Sequence, residues 1–173
     1  MVDDRSIPRG VTSLPPEHEE LVVHFDGACQ PPRGGGIATY GFTIDGAGGH
    51  VEGMGLAVRP GVPHATNNVA EYSAAICALE RLLSDGYRGR VVLRGDSQLI
   101  IRQMAGEYEV RSEHLKAYHD RLRQLVREFP MVRFEWVPRE ENQRADELSK
   151  LAIDAERRRL RGGADPRRSG DRD

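Results

Sequence analysis

The chain has 173 residues, 38% hydrophobic and 30% charged, which is enough to bury the core of one globular domain. No apolar run approaches the ~18 residues of a membrane span, and two cysteines are too few for a disulfide scaffold, so we expect a cytoplasmic monomer with no membrane partner. The formal net charge is −2, and residues 157–173 hold seven Arg against three Asp, so the rest of the chain is acidic and a broad basic surface for duplex nucleic acid is excluded.

The first predicted strand follows a polar leader. Residues 1–19 show no apolar period, and we expect a flexible N-terminal leader there. In the next run, LVVHFDGAC, Leu21 and Val23 share one face and both faces are largely apolar, which indicates a central strand. We expect this strand to end at Asp26, at the sheet edge where α/β proteins bind ligands, with Gly27 allowing another backbone to approach. An isolated aspartate there is more often a turn residue, so the argument depends on the acids that follow.

The next segment predicts an antiparallel hairpin. Residues 30–36 are a glycine-rich loop that lacks the lysine and the spacing of a phosphate-binding P-loop. Residues 37–44 and 50–58 flank the turn DGAGG and so predict the second and third strands.

A helix with an acidic residue on its inward face comes next. Either Asn67 or Asn68 is predicted to cap this helix, and Gly86 to end it. The stripe that faces the sheet consists of Glu71, Ala75, Ala78 and Leu82. A carboxylate on an inward face is costly to bury without a partner, so Glu71 implies a metal ion or a strong hydrogen-bond donor. The alternative is a glutamate at the rim of the stripe, favoured by the helix N-terminus.

A second aspartate ends the fourth predicted strand, residues 90–97. The helix SQLIIRQMAG follows directly, and a helical crossover makes this strand parallel to the first. Asp26 and Asp96 should then stand side by side at one edge of the sheet, where their like charges repel unless a cation lies between them.

The remainder of the chain predicts a helix, a strand, a last helix and a tail. Residues 113–129 have a helical apolar period, and residues 132–138 read as a fifth strand. The last helix begins at its cap Asn142 and buries a stripe of Ala145, Leu148, Ala152 and Ala155. Asp146 lies in its first turns, where the helix N-terminus alone would also favour an acid. Residues 161–173 predict a disordered basic tail.

The four acids together indicate a metal site. Two follow parallel strands, and two lie early in helices that face the same edge, a grouping that is hard to keep without cations. Hard oxygen ligands suit Mg²⁺ or Mn²⁺, and two such ions ~3.5–4 Å apart commonly serve in-line displacement at phosphorus. The sequence therefore predicts phosphodiester hydrolysis.

Four blocks, in this order, resemble the type 1 ribonuclease H family. They are FDGAC, TNNVAEY, GDSQLI and NQRADELSKLA, and the resemblance covers residue 21 to about residue 157. It implies an α/β ribonuclease H-like domain over residues 20–160, with a mixed five-stranded sheet of order 3-2-1-4-5 flanked by helices. It also implies endonucleolytic cleavage of the RNA strand of RNA/DNA hybrids, with 5′-phosphate and 3′-hydroxyl products.

The resemblance also implies roles for particular residues. By position in the family motifs, the catalytic ligands of two Mg²⁺ or Mn²⁺ ions would be Asp26, Glu71, Asp96 and Asp146. The positions that contact the minor groove, where 2′-hydroxyls mark RNA, would be Asn67, Asn68 and Gln98. Local roles as a helix cap for Asn68 and as a first-turn residue for Gln98 remain alternatives.

Two departures from the family pattern leave its finer properties open. The loop before the last helix, PREEN, lacks the histidine of many relatives. The candidates for its place are Arg139 and Glu141, and Arg139 is also predicted to contact substrate. Some relatives grip the DNA strand with a basic, aromatic protrusion, and here the acidic link GEYEVRSE stands in its place. The arginines of residues 157–161 are the alternative contact to nucleic acid, unless they only add solubility. Cleavage of double-stranded RNA, another nuclease activity on the same fold, and a non-catalytic hybrid-binding module stay open.

Overall fold

In the computed structural model, which describes residues 19–32 and 34–163, helices cover both faces of a five-stranded sheet. The strands are β1 (Glu20–Gln30), β2 (Ile37–Gly46), β3 (Gly49–Leu56), β4 (Arg90–Gly95) and β5 (Val132–Trp136). The helices are α1 (Asn67–Ser84), α2 (Gln98–Met104), α3 (Glu113–Val126) and α4 (Gln143–Gly162), and a short 3₁₀ helix, Arg139–Glu141, precedes α4. Among the described residues, no helix combines the length and the apolar character needed to cross a membrane.

The strand order is β3-β2-β1-β4-β5, which confirms the predicted mixed sheet. A two-residue turn between Gly46 and Gly49 joins β2 to β3, so these strands are antiparallel, as are β1 and β2. Helix α1 crosses over from the hairpin to β4, and β4 therefore runs parallel to β1; β5 is parallel to β4 for the same reason. The central strand β1 thus has an antiparallel neighbour on one side and a parallel neighbour on the other.

The two faces of the sheet carry different helices. Leu21, Val23 and Phe25 point to one face, where they form the main core with α1 and α3. Helix α4 packs mainly on β2 and β1 on the opposite face. Most residues of α1 are buried, which explains why this helix has small residues on several sides.

The predicted cap of α1 is wrong. The N-cap residue is Thr66, whose Oγ1 accepts a hydrogen bond from the Val69 nitrogen at 3.3 Å, and both candidate asparagines lie inside the first turn. At the other end Gly86 follows the helix with a left-handed φ of +81°, as predicted.

The predicted stripe of α4 is wrong at its last member. Ala155 is exposed, whereas Ile153 and Glu156 are buried, because the buried face of a 3.6-residue helix drifts relative to a regular spacing. The helix runs to Gly162, past the expected boundary at residue 160. Nearly all of the predicted leader (residues 1–18) and of the predicted tail (residues 164–173) lies outside the described residues.

Candidate active site

The candidate site lies where β1 and β4 separate. Their parallel pairing ends at His24 and Arg94, and two residues further along each chain stand Asp26 and Asp96. The sequence predicted that β1 ends at Asp26, and this is wrong. Asp26 pairs with Gly41 of β2, and that antiparallel ladder continues to Gln30. The aspartate is therefore held by a ladder on one side only, which leaves its other side open to a cleft of about 490 Å³.

Helix α1 brings Glu71 to this cleft because β1 has no side chain at Gly27. A Cβ on Gly27 would lie 2.2 Å from the Glu71 nitrogen and 2.3 Å from the Ala70 carbonyl carbon, so the helix backbone rests directly on the strand. Three carboxylates meet as a result: one oxygen from each of Asp26, Glu71 and Asp96 lies within 4.8 Å of the other two.

Helix α4 approaches the opposite face in the same way. A Cβ on Gly41, the residue paired with Asp26, would lie 2.5 Å from the Ala145 carbonyl oxygen. The Thr39 hydroxyl on β2 donates to the Ser149 carbonyl oxygen at 2.6 Å and ties the helix down. This contact places Asp146 at the rim of the cleft that Asp26 lines.

Asp146 is at the cleft but outside the close group of three. Its Oδ2 accepts from the Lys150 ammonium at 2.7 Å, and its Oδ1 lies 3.9 Å from the Arg139 guanidinium. Two cations therefore flank this carboxylate. Lys150 is a cleft residue that the sequence reasoning missed, although its position four residues after Asp146 was a visible signal for an ion pair on one helix face.

Burial and mutual repulsion dominate the electrostatics of the three close carboxylates. Burial, helped by the charges of Asp96 and Glu71, raises the pKa of Asp26 to about 8. Burial likewise raises the pKa of Glu71 to about 7, and it raises the pKa of Asp96 against the opposing effect of Arg139. Three such groups are not all ionised at neutral pH unless a cation joins them, and an all-oxygen donor set fits Mg²⁺ or Mn²⁺.

Asn142 connects three elements of the site and was predicted only as a helix cap. It precedes α4, yet its side chain makes no capping hydrogen bond there. The fully buried amide donates instead through Nδ2 to the Phe25 carbonyl oxygen at 3.0 Å, next to Asp26, and the amide also partly opposes the rise that burial causes in the pKa of Asp96. Its Oδ1 has no hydrogen-bond partner among the described residues.

The four predicted substrate contacts are not equally placed. Asn67 and Arg139 line the cleft, although the Asn67 Oδ1 is already used by the Cys29 nitrogen at 3.0 Å. Asn68 lines a neighbouring groove, while Gln98 is exposed at the first residue of α2 and lines neither. Glu141, the other candidate for the place of the missing histidine, is exposed and does not line the cleft.

The neighbouring groove, of about 410 Å³, extends the cleft through Asn67, which lines both. Two imidazole rings, those of His64 and His114, stack across it with centroids 4.9 Å apart. Its polar lining also includes Thr66 and Ser112, and none of the described residues that line it carries a carboxylate.

The two candidate grips outside the cleft differ in their contacts. Within the acidic link, Arg111 lies 3.5 Å from Glu109, so its charge is offset locally. In the arginine-rich end of α4, Arg159 is ion-paired with Glu156, but Arg157 donates to the Gln30 side chain, which lines the cleft. The basic end of α4 therefore reaches the site, whereas the acidic link adds no net positive charge.

Comparisons with known proteins identify relatives of this chain. The family model described as reverse transcriptase-like matches residues 24–152. Ribonuclease HI of Halobacterium salinarum is 36% identical over 153 residues, which are 85% of this chain and 72% of that protein. A bifunctional protein of Mycobacterium tuberculosis is 35% identical over 108 residues, which are 62% of this chain and 29% of the longer protein.

Solved structures give the same result. The crystal structure of RNase H1 from Halobacterium salinarum has a TM-score of 0.70 and 37% identity, with 79% of this chain and 98% of that chain covered. LC11-RNase H1, solved in complex with an RNA/DNA hybrid, has a TM-score of 0.69 and 36% identity, with 78% and 97% covered.

Proposed function

Because this chain belongs to the type 1 ribonuclease H family, we propose that it is a metal-dependent endoribonuclease that hydrolyses the RNA strand of RNA/DNA hybrids. The observation that carries the proposal is the convergence of three carboxylates, from two strand positions and one helix, at the open side of β1. The expected products are a 5′-phosphate and a 3′-hydroxyl. The domain that does this would span residues 20–160, act in the cytoplasm and work as a monomer.

The proposed ligands of two Mg²⁺ or Mn²⁺ ions are Asp26, Glu71, Asp96 and Asp146. When bound, such ions supply activation of the attacking water and stabilisation of the leaving 3′ oxygen. Burial and the charges of Asp96 and Glu71 raise the pKa of Asp26, and a bound cation would oppose this rise. Asp146, held by Lys150 and Arg139, would be the more exposed and exchangeable ligand.

The proposed path of the hybrid runs along the cleft and into the neighbouring groove. Asn67 joins the two, and its amide nitrogen is the half of the side chain that remains for substrate. The described residues of the groove carry polar and imidazole side chains and no carboxylate, which suits a phosphate backbone. Arg139, at the cleft with 73% of its side chain exposed, would contact a phosphate directly, and Asn68 and Gln98 would contact the minor groove further out.

Cleavage of labelled substrates tests the proposal. An end-labelled RNA would be offered as an RNA/DNA hybrid, as a single strand and as an RNA duplex, each with Mg²⁺ or Mn²⁺. We expect internal cuts in the hybrid RNA that EDTA abolishes and that Asp96→Asn removes, whereas Asp120→Asn, a control at an exposed acid of α3, should cut normally.

Each other outcome has a distinct meaning. Additional cuts in the RNA duplex would widen the substrate class to double-stranded RNA. Cuts that begin only at ends would indicate another nuclease activity on this fold. Hybrid binding without cleavage under either metal ion would refute the proposed enzymatic activity and leave the non-catalytic hybrid-binding module.

A further inference from the structure

Trp136 is the only tryptophan of the chain, and it lies at the mouth of the candidate active site. It is the last residue of β5 and pairs with Gly95 of β4. Its side chain is not packed into the core, since 47% of the residue stays exposed. Among the described residues that line the cleft it is the one aromatic side chain, and most of the others are polar or charged.

The indole of Trp136 holds the main chain of Asp96. Its Nε1–H donates to the Asp96 carbonyl oxygen over 3.1 Å. The backbone ladder between β4 and β5 ends one step earlier, where the Val137 nitrogen donates to the Gly95 carbonyl oxygen at 2.9 Å. A side chain thus continues the pairing at the point where the backbone of β4 turns away.

The next residue, Ser97, fixes the other side of this aspartate. The Ser97 hydroxyl oxygen accepts from the Ile100 nitrogen at 3.4 Å and caps α2. The main chain at Asp96 is therefore held between the indole on one side and the cap of α2 on the other. Loss of the indole contact would free the Asp96 carbonyl while leaving the cap in place.

The exposed part of the ring needs a separate explanation. A tryptophan carries a large apolar surface and is usually well buried, with its N–H bonded to a partner. Here the N–H is bonded but the ring remains half open beside a polar cleft. Aromatic faces in such positions give nucleic acid strands a stacking surface that accepts any base.

We propose that Trp136 is a positioning residue: its N–H fixes Asp96 for metal binding, and its exposed ring packs against the nucleic acid strand in the cleft. This inference rests on the proposed function. It adds a residue outside the four carboxylates, and it assigns the N–H and the ring of one side chain to different parts of the reaction.

Two substitutions separate these parts. Trp136→Phe removes the N–H but keeps an aromatic ring, so kcat and the affinity for Mg²⁺ measured by calorimetry without substrate should each fall about threefold to tenfold, with KM nearly unchanged. Trp136→Ala removes both and should also raise KM for the hybrid. Met131→Ala is the matched control, because it removes an equally exposed apolar side chain, 44% exposed, just before the opposite end of β5.

The wild-type protein provides a further readout, since its fluorescence comes from Trp136 alone when excited selectively. Its emission should change on addition of Mg²⁺ and again on addition of hybrid, the latter measured in Asp146→Asn to slow cleavage. This measurement keeps the inference testable if Trp136→Phe fails to fold.

The outcomes distinguish this inference from the proposed function. If the wild type cleaves hybrid but Trp136→Phe matches it in kcat and in Mg²⁺ affinity, the positioning role is overturned and the proposed function stands. If the wild type does not cleave, the proposed function fails, and Mg²⁺ affinity and emission still decide whether Trp136 holds Asp96. Emission that responds to neither Mg²⁺ nor hybrid would overturn both roles of Trp136.

Discussion

Replacing Gly27 with alanine should separate α1 from β1 and so displace Glu71 from the other two carboxylates. The new Cβ would stand 2.2 Å from the Glu71 nitrogen, whereas non-bonded carbon contacts are normally at ~3.5 Å. The atoms in the way belong to the helix backbone, which cannot rotate aside as a flexible side chain does. The first turns of α1 would therefore have to move by about 1 Å or more.

The expected loss of activity is much larger than the expected loss of stability. Overpacking of this kind costs about 1–3 kcal/mol, which a folded domain of this size can tolerate. A displacement of about 1 Å at a reacting group, by contrast, lowers turnover on the order of 100-fold. Gly27→Ala should thus remain folded, bind hybrid and cut it slowly.

The assay combines urea unfolding, kcat on a hybrid with Mg²⁺, and Mg²⁺ affinity by calorimetry. Gly48→Ala is the matched control, since a Cβ in that turn meets nothing within 4 Å and its backbone is not left-handed. Gly41→Ala should behave like Gly27→Ala, but through Asp146, because its Cβ would meet the backbone of α4. Normal turnover and normal Mg²⁺ affinity in folded Gly27→Ala would refute the reasoning.

Three further predictions concern the same region. Folding raises the pKa of Asp26 to about 8, so in EDTA the free energy of unfolding should fall as pH rises from 5 to 8. In Asp26→Asn, urea unfolding should show a smaller fall in this free energy over the same range, and equal falls in the two proteins would contradict this. Asn142→Ala removes the buried hydrogen bond to the Phe25 carbonyl oxygen and should lower the free energy of unfolding by about 1–3 kcal/mol; an unchanged urea midpoint would contradict this. Deleting residues after Glu156 removes Arg157, which donates to the cleft residue Gln30, and should raise KM at moderate salt; an unaltered KM would rule these residues out as a grip on nucleic acid.

The sequence predicted the fold and the proximity of Asp26 and Asp96 well, because both depend on the hydrophobic periodicity of each segment and on the direction of the strands. A helical crossover makes β4 parallel to β1, and parallel neighbours bring Asp26 and Asp96 to one place. Gly27 was also correctly predicted to admit another backbone, which the contact with α1 confirms.

The other features of the site depend on strand ladders and hydrogen bonds between distant residues, which the order of elements along the chain does not reveal. The alternation of side chains along β1 could not show that its ladder with β2 continues past Asp26, beyond the point where its ladder with β4 stops. Asparagine is common at helix caps, so Asn142 was predicted as one, but its amide donates to the Phe25 carbonyl oxygen, 117 residues away. Trp136 gave no signal at all, because its contact is with a main-chain oxygen.

The placement of α1 and α4 on opposite faces of β1 and β2 also sets the order in which the site is completed during synthesis. Asp26 leaves the ribosome early and Glu71 soon after, but Asp146 belongs to the last helix that the structure describes. A nascent chain that has formed the sheet and α1 still lacks its fourth carboxylate and the Asn142 tie until α4 docks on β2. The complete set of acids therefore requires α4 to be synthesised and docked on β2.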